Sequence, residues 1–110
     1  MFKRKNRLTS GIRFSNSYSF SCPEFILKSK KNGLNLNRYG VVISKKIDKR
    51  AVVRNRIKRI SRNILFNLNE NMKLGHDILF IVRLGVLNKK GAEIKLAIKN
   101  AIEKAGLIKK

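Results

Sequence analysis

The segment from Ala51 to Leu68 constrains the fold most, because its apolar residues recur about every 3.6 positions, the period of an α-helix. When each residue is advanced by about 100°, the apolar side chains fall in one stripe roughly 80° wide. Its members are Val53, Ile57, Ile60, Ile64 and Leu68. We therefore predict a helix that begins near Ala51 and buries this stripe against a sheet.

The same segment is strongly basic: the stretch KRAVVRNRIKRISR, Lys49 to Arg62, has seven basic residues and no acid. At four-residue steps it carries Arg54, Lys58 and Arg62, with Asn55 and Arg59 on the adjoining strip, which predicts a basic face opposite the apolar stripe. Like charges four apart cost a helix about 0.2 to 0.5 kcal/mol per pair, so helix stability does not explain this face. Arginine forks bind phosphate well, whereas a merely solvated face usually mixes both signs.

The rest of the chain predicts strands and one more helix. EFILKS, Glu24 to Ser29, reads as a strand, and RYGVVIS, Arg38 to Ser44, reads as a second strand paired with the first. HDILFIVR, His76 to Arg83, is almost continuously apolar, which favours a strand buried on both faces. The serine-rich SNSYSFSC, Ser15 to Cys22, predicts a loop.

A final helix is predicted from about Ala92 to Ala105, with Gly106 placed to end it. The resulting order of strands and helices indicates an α+β fold in which helices pack on a sheet. A length of 110 residues predicts a single domain, residues 1 to 110.

The charge balance indicates a polyanionic partner. Against 27 Lys and Arg stand 6 Asp and Glu, a formal net charge of +21, and nucleic acid is the first hypothesis. The longest apolar run, Ile78 to Val82, is too short to cross a bilayer, and no secretory signal is evident, so we expect a cytoplasmic protein that binds no membrane. The single cysteine, Cys22, cannot form an internal disulfide and is interpreted as a packed thiol.

Three stretches carry a family resemblance. RNRIKRISR, Arg54 to Arg62, follows SKK, Ser44 to Lys46, and an AVV helix entry, and KRKNRL begins at Lys3. Together these resemble the bacterial ribonuclease P protein component, over roughly Lys3 to Ala105. The resemblance implies a two-layer sandwich of a mixed four-stranded sheet with packed helices, in which the motif helix forms a left-handed βαβ crossover, an exception to the usual hand.

The resemblance also implies the function: the small subunit of a ribonucleoprotein whose RNA removes the 5′ leader from precursor tRNA. The implied partners are the ribonuclease P catalytic RNA and precursor tRNA, with no obligate protein partner. The motif region then binds the catalytic RNA through Lys45, Lys46, Arg50, Arg54, Asn55, Arg56, Lys58, Arg59 and Arg62. A cleft between a first helix and the sheet holds the single-stranded leader.

Aromatic residues that could stack on the leader are Phe14 and Tyr18, four apart and so on one face if this segment is helical. They match positions where the family carries aromatics toward the leader. The alternative is that they only cover the sheet edge. Gly11 and the neighbouring Ser and Asn residues are poor helix formers, although the family places a helix here.

The residues themselves argue against a protein catalyst. The acids are scattered singly along the chain, at Glu24, Asp48, Glu70, Asp77, Glu93 and Glu103. His76 is the only histidine of the sequence, so a catalytic pair of histidines is excluded. We therefore assign no catalytic or metal-binding residue, and expect Mg²⁺ to be held mainly by the RNA and the substrate phosphates. An alternative function is a structural rRNA-binding ribosomal protein. A membrane-surface role is disfavoured because the apolar helix face is needed to cover the sheet.

Overall fold

A computed structural model describes residues 17–108, which form one sheet and two helices. Phe14 and the KRKNRL stretch lie outside the described residues. In chain order the elements are β1 (Tyr18–Ser21), β2 (Phe25–Lys31), β3 (Arg38–Val42), α1 (Ala51–Leu68), β4 (His76–Val82) and α2 (Gly91–Lys104). Short 3₁₀ turns at Asn69–Asn71 and Leu84–Val86 follow α1 and β4.

The four strands lie in the order β1-β2-β4-β3. β1 pairs antiparallel with β2, β2 pairs antiparallel with β4, and β3 pairs parallel with β4. The prediction that the strands beginning near Glu24 and Arg38 pair with each other is wrong, because β4 lies between them. β4 is the most apolar strand, and like β2 it takes an interior position with a partner along each edge.

The core lies on one face of the sheet. Cross-strand partners Leu27, Phe80 and Val41 all point to this face and are buried under the helices. Phe25 and Phe80 meet edge to face, with ring centroids 5.6 Å apart. In β4, Leu79 and Ile81 point to the face opposite the helices and are only half-buried, although Asp77 on that face is buried. The prediction of a strand buried along both faces is therefore wrong for most of β4.

α1 confirms the helix predicted from Ala51. Ile57 and Ile64 are buried, while Val53, Ile60 and Leu68 are half-buried against the same core, as the apolar stripe requires. α2 runs one residue earlier at each end than predicted, and Gly106, with φ +71°, adopts the left-handed conformation that stops it. α1 packs against β3 and α2 against β1 and β2, and the helices contact each other.

The segment predicted as a serine-rich loop contains a strand. Tyr18 and Phe20 of β1 pair opposite Ser29 and Leu27, which places both aromatics on the helix-covered face. Aromatic and serine residues alternate in β1, so the aromatic side chains face the helices and the serines face the other side of the sheet. This alternation favours a strand more strongly than the serines favour a turn. Tyr18 is therefore not helical.

α1 connects the parallel neighbours β3 and β4, which confirms its role as the crossover helix. The mixed four-stranded sheet with two packed helices confirms the predicted α+β class. The left hand of the crossover stays a prediction. Within residues 17–108 no helix is both long enough and apolar enough to span a membrane.

Candidate nucleic-acid interface

The exposed face of α1 is a continuous basic strip. Asn55, Arg59 and Arg62 lie within about 60° of one another around the helix axis and are exposed, and Arg56 is exposed beside them. The sequence of α1 holds no acid. The helix amides add partial positive charge at its N-terminal end. This strip can contact successive phosphates of a nucleic-acid backbone.

Arg54 and Lys58 depart from the predicted arrangement. Both are half-buried and lie at the margin of the packed face, so they do not point directly away from it. The reason is Leu65, which falls on nearly the same angular position as Lys58 two turns later and is fully buried. The buried stripe is therefore wider than the five predicted residues, and only Arg62 of the predicted trio lies on the fully exposed strip.

The chain enters α1 through a basic loop. Lys45 and Lys46 are exposed, and the backbone N–H of Lys46 donates to Oγ of Ser44 at 2.9 Å. Asp48 accepts hydrogen bonds from the Arg50 backbone at 2.8 Å and from its guanidinium, which lower the pKa of this carboxyl. Asp48 thus orders the loop and partly offsets the charge of Arg50, with which it forms an ion pair. The nearby charge of Arg54 also lowers the pKa of Asp48.

A buried polar cluster fixes the other end of α1. Tyr39 of β3 donates its hydroxyl hydrogen to Oδ1 of Asn69, the residue that follows the helix. Asn37 is fully buried, donates to the Tyr39 hydroxyl at 3.1 Å and accepts from the His76 backbone at 2.9 Å. Burial raises the pKa of Tyr39 to about 12. These contacts tie α1 to β3 and β4, so the basic strip has a fixed orientation on the sheet.

The sheet face opposite the two helices is a second candidate surface. Its cross-strand rows place basic side chains at one end and aliphatic ones at the other: Lys30, Asp77 and Arg38, then Lys28, Leu79 and Gly40, then Ile26, Ile81 and Val42. The sequence analysis missed Lys28 and Lys30. The alternation of these lysines with the apolar and small residues of β2 could have identified them, because it places both on one face of the strand.

Asp77 holds Arg38 at the basic end of this face. The guanidinium donates twice to the carboxylate, both at 2.7 Å, and Asn32 donates a third hydrogen bond at 3.0 Å. Burial alone would raise the pKa of Asp77, but the hydrogen bonds from Arg38 and Asn32 and the nearby positive charge leave it below its usual range. Asp77 is therefore a structural ion-pair partner.

Tyr18 lies apart from both surfaces. Its hydroxyl donates to the backbone carbonyl of Lys104 at 3.1 Å, which joins β1 to the end of α2, although the ring remains partly exposed. The condition under which Tyr18 would share a helical face with Phe14 is not met, because Tyr18 is in a strand.

Three of the acidic residues lie together, away from α1. A groove of about 740 Å³ between β1 and α2 is lined by Glu24, Glu93 and Glu103 together with Phe20 and Leu96. Three of the chain's six acids line this groove, alongside Lys89 and Lys104, so it is less favourable for a polyanion than the acid-free face of α1. Residues 17–108 contain no group of three side chains suited to hold a metal ion. Asp48 and Asp77 are each committed to an arginine, so these residues do not fit a magnesium cage.

The fold and the charged strip define a class: a small, basic α+β protein that presents one helix to a polyanion. The comparisons with known proteins agree. The family model described as Ribonuclease P matches residues 2–106. The ribonuclease P protein component of Clostridium botulinum is 38% identical over 109 residues, covering 94% of this chain and 97% of that one. The component of Clostridium kluyveri is 43% identical over 99 residues, covering 87% of each chain.

A solved structure supports the fold. The Staphylococcus aureus RNase P protein superposes with a TM-score of 0.86 at 23% identity, covering 94% of this chain and 98% of that one. The chain belongs to the ribonuclease P protein family. Its function is accordingly that of a protein subunit in a tRNA-processing endoribonuclease, in which the RNA carries catalysis.

Proposed function

We propose that this chain binds the catalytic RNA of ribonuclease P through α1 and its entry loop, and assists that RNA in removing the 5′ leader of precursor tRNA. The observation that carries the proposal is the exposed strip of Asn55, Arg59 and Arg62, which no acid within α1 interrupts. Arg56, Lys45 and Lys46 extend this positive surface. Arg54 and Lys58 contribute from its margin.

The sheet face opposite the two helices is proposed to hold the single-stranded leader. Lys28 and Lys30 supply positive charge for phosphates, and Ile81 and Val42 supply an apolar floor for bases. Stacking of the leader on Phe14 and Tyr18 stays a prediction. The Tyr18 hydroxyl contact with α2 supports a packing role for that residue instead.

Magnesium is proposed to be held by the RNA and the substrate phosphates, and no side chain of the protein is assigned to bind it. What supports this is the commitment of Asp48 and Asp77 to arginine partners. By neutralising phosphates, the protein lowers the repulsion between RNA and precursor tRNA, so less metal is needed. We place this assembly in the cytoplasm, where tRNA is processed in bacteria.

The alternative, a structural ribosomal protein, fits the charge and fold class but not the family match over residues 2–106. The test adds purified protein to a bacterial ribonuclease P RNA at low Mg²⁺. We expect leader removal to appear only when both components are present. Leader removal by the RNA-free protein would contradict the proposal, as would an RNA whose activity the protein leaves unchanged.

A further inference from the structure

The loop that leads into α1 contains an acid where RNA binding calls for positive charge. Asp48 follows Lys45 and Lys46 and precedes Lys49 and Arg50, so bases flank it on both sides in the sequence. A carboxylate at this place repels phosphate. Stability does not account for it, because an ion pair between groups that remain in contact with water stabilises a folded protein very little.

The Asp48 carboxylate binds Arg50 at three points. Oδ1 accepts the Arg50 backbone N–H at 2.8 Å and Nε–H at 3.1 Å, and Oδ2 accepts from Nη2 at 3.0 Å. The backbone contact closes a turn from an aspartate to the residue two positions on, the last residue before α1. The side-chain contacts hold the guanidinium along one edge. Arg50 is therefore fixed in both its backbone and its side chain.

The exposure of the two side chains shows which of them faces a partner. The Asp48 side chain is 12% exposed and that of Arg50 is 74% exposed, so the guanidinium lies outside the carboxylate. The contacts with Asp48 use Nε–H and one N–H of Nη2. The other N–H of Nη2 and one N–H of Nη1 form a second edge, which suits two parallel hydrogen bonds to phosphate oxygens. Arg50 can thus bind a carboxylate and a phosphate at the same time.

We propose that Asp48 is a positioning residue for RNA binding, which holds the Arg50 guanidinium so that its second edge binds one phosphate of the catalytic RNA. This inference rests on the proposed function and explains an acid within a basic surface. An unrestrained arginine loses its rotamer freedom when it binds phosphate, whereas a side chain held by a carboxylate has already lost much of it in the free protein. Asp48 thereby reduces nonspecific attraction and adds a contact of fixed geometry.

Asp48→Asn tests this role with little change to the loop. The amide oxygen can still accept the Arg50 backbone N–H, and the Asp48 backbone carbonyl, 3.5 Å from Nη1 of Arg54, is retained. The amide nitrogen cannot accept from Nη2, so the two-point hold on the guanidinium is lost. RNA binding by the full chain should weaken by about twofold to tenfold, the effect of having to order one long side chain on binding.

Glu103→Gln is the matched control. Both substitutions remove one negative charge, but Glu103 is exposed on α2 and lines the groove away from α1. Charge alone predicts that each variant binds ribonuclease P RNA slightly more tightly than the original protein. We expect that only Asp48→Asn binds more weakly. Binding by Asp48→Asn that equals or exceeds that of the original protein overturns the inference.

A double-mutant cycle shows whether Asp48 acts through Arg50. Arg50→Ala should weaken binding and make the slope of log affinity against log salt shallower by about 0.7 to 0.9, because one phosphate contact is lost. Asp48→Asn keeps all positive charges, so its slope should not become shallower. In the Arg50→Ala background, Asp48→Asn should tighten binding, since only its repulsion of phosphate is removed. An equal loss of affinity in both backgrounds would mean that Asp48 acts only on the loop backbone, and overturns the inference.

The outcomes also distinguish this inference from the proposed function. If the unaltered protein does not bind ribonuclease P RNA, the proposed function fails and the inference fails with it. If it binds and Arg59→Ala/Arg62→Ala weakens binding, but Asp48→Asn does not, only the inference is overturned. Thermal melts accompany each variant. Should Asp48→Asn lower the melting temperature, the two Arg50 backgrounds still decide, because a loss of structure weakens binding in both.

Discussion

Asp77 shows how much one side chain can do in a chain with few acids. Its side chain is 1% exposed and that of Arg38 is 27% exposed, so the carboxylate is buried while the guanidinium still reaches solvent. Both guanidinium hydrogen bonds and the one from Asn32 would be weakened by changing the carboxylate to an amide. The stabilising effect is local, because it joins the start of β3 to the start of β4.

Replacing Asp77 by Asn should lower the free energy of unfolding by about 1 to 3 kcal/mol, less than for a fully buried pair because Arg38 reaches solvent. The pKa of Asp77 is depressed, so its contribution is complete above the unfolded pKa of about 4 and is lost as pH falls through the folded pKa. Denaturant titrations of both proteins should therefore converge as pH falls below about 4. A constant difference down to lower pH would contradict this.

Gly85 sits where two segments of the backbone pass close to each other. A Cβ at this position would lie 2.2 Å from the carbonyl oxygen of Pro23, which also accepts the Gly85 N–H at 3.1 Å. Because backbone on both sides must shift, Gly85→Ala should lower stability by about 1 to 3 kcal/mol. Gly91→Ala is the matched control, since a Cβ there meets nothing within 4 Å. Equal thermal melts for the two variants would show that the loop adjusts freely.

At the scale of elements, the RNA-binding strip can be tested against charge alone. Arg59→Ala/Arg62→Ala and Lys95→Ala/Lys99→Ala each remove two positive charges, from the exposed sides of α1 and α2 respectively. If the strip contacts phosphates, the arginine variant should bind ribonuclease P RNA with a salt slope shallower by about 1.4 to 1.8, and the lysine variant should change little. Equal changes would mean that only net charge matters.

The sequence predicted α1 and α2 well because each has a long amphipathic period that its own residues define. It failed where the answer depended on another part of the chain. The pairing of β2 with β4 requires knowing that the segment at His76 takes the central position. Similarly, the half-burial of Arg54 and Lys58 depends on how Leu65 meets the rest of the core, which no local period reveals.

For the candidate site, the basic residues of α1 were predicted because charge is visible in the sequence. Lys28 and Lys30 were missed since their shared face exists only once β2 is flanked by β4. Tyr18 was placed in a predicted loop because the serines were read as turn formers, without the strand pattern that includes Phe20.

At the scale of the whole molecule, a net charge of +21 opposes folding through self-repulsion. Multivalent anions that bind the folded surface should therefore raise the melting temperature more than chloride at equal ionic strength. Sodium sulfate at roughly 10 mM is a suitable probe, low enough to limit its general salting-out effect. The Arg59→Ala/Arg62→Ala variant should respond less than the original protein. Identical melting curves in sulfate and in chloride would mean that salt acts only by screening the charges and that sulfate does not bind the folded protein.

The central place of β4 also governs the order in which this protein can be made. When β1, β2, β3 and α1 have left the ribosome, β1 and β2 can pair, but β3 has no partner strand because β4 is still missing. Only after Val82 emerges can the strands close around β4, so most long-range contacts form late in synthesis. Until then the apolar stripe of α1 has no complete sheet to cover, and its arginines are already available to nearby RNA.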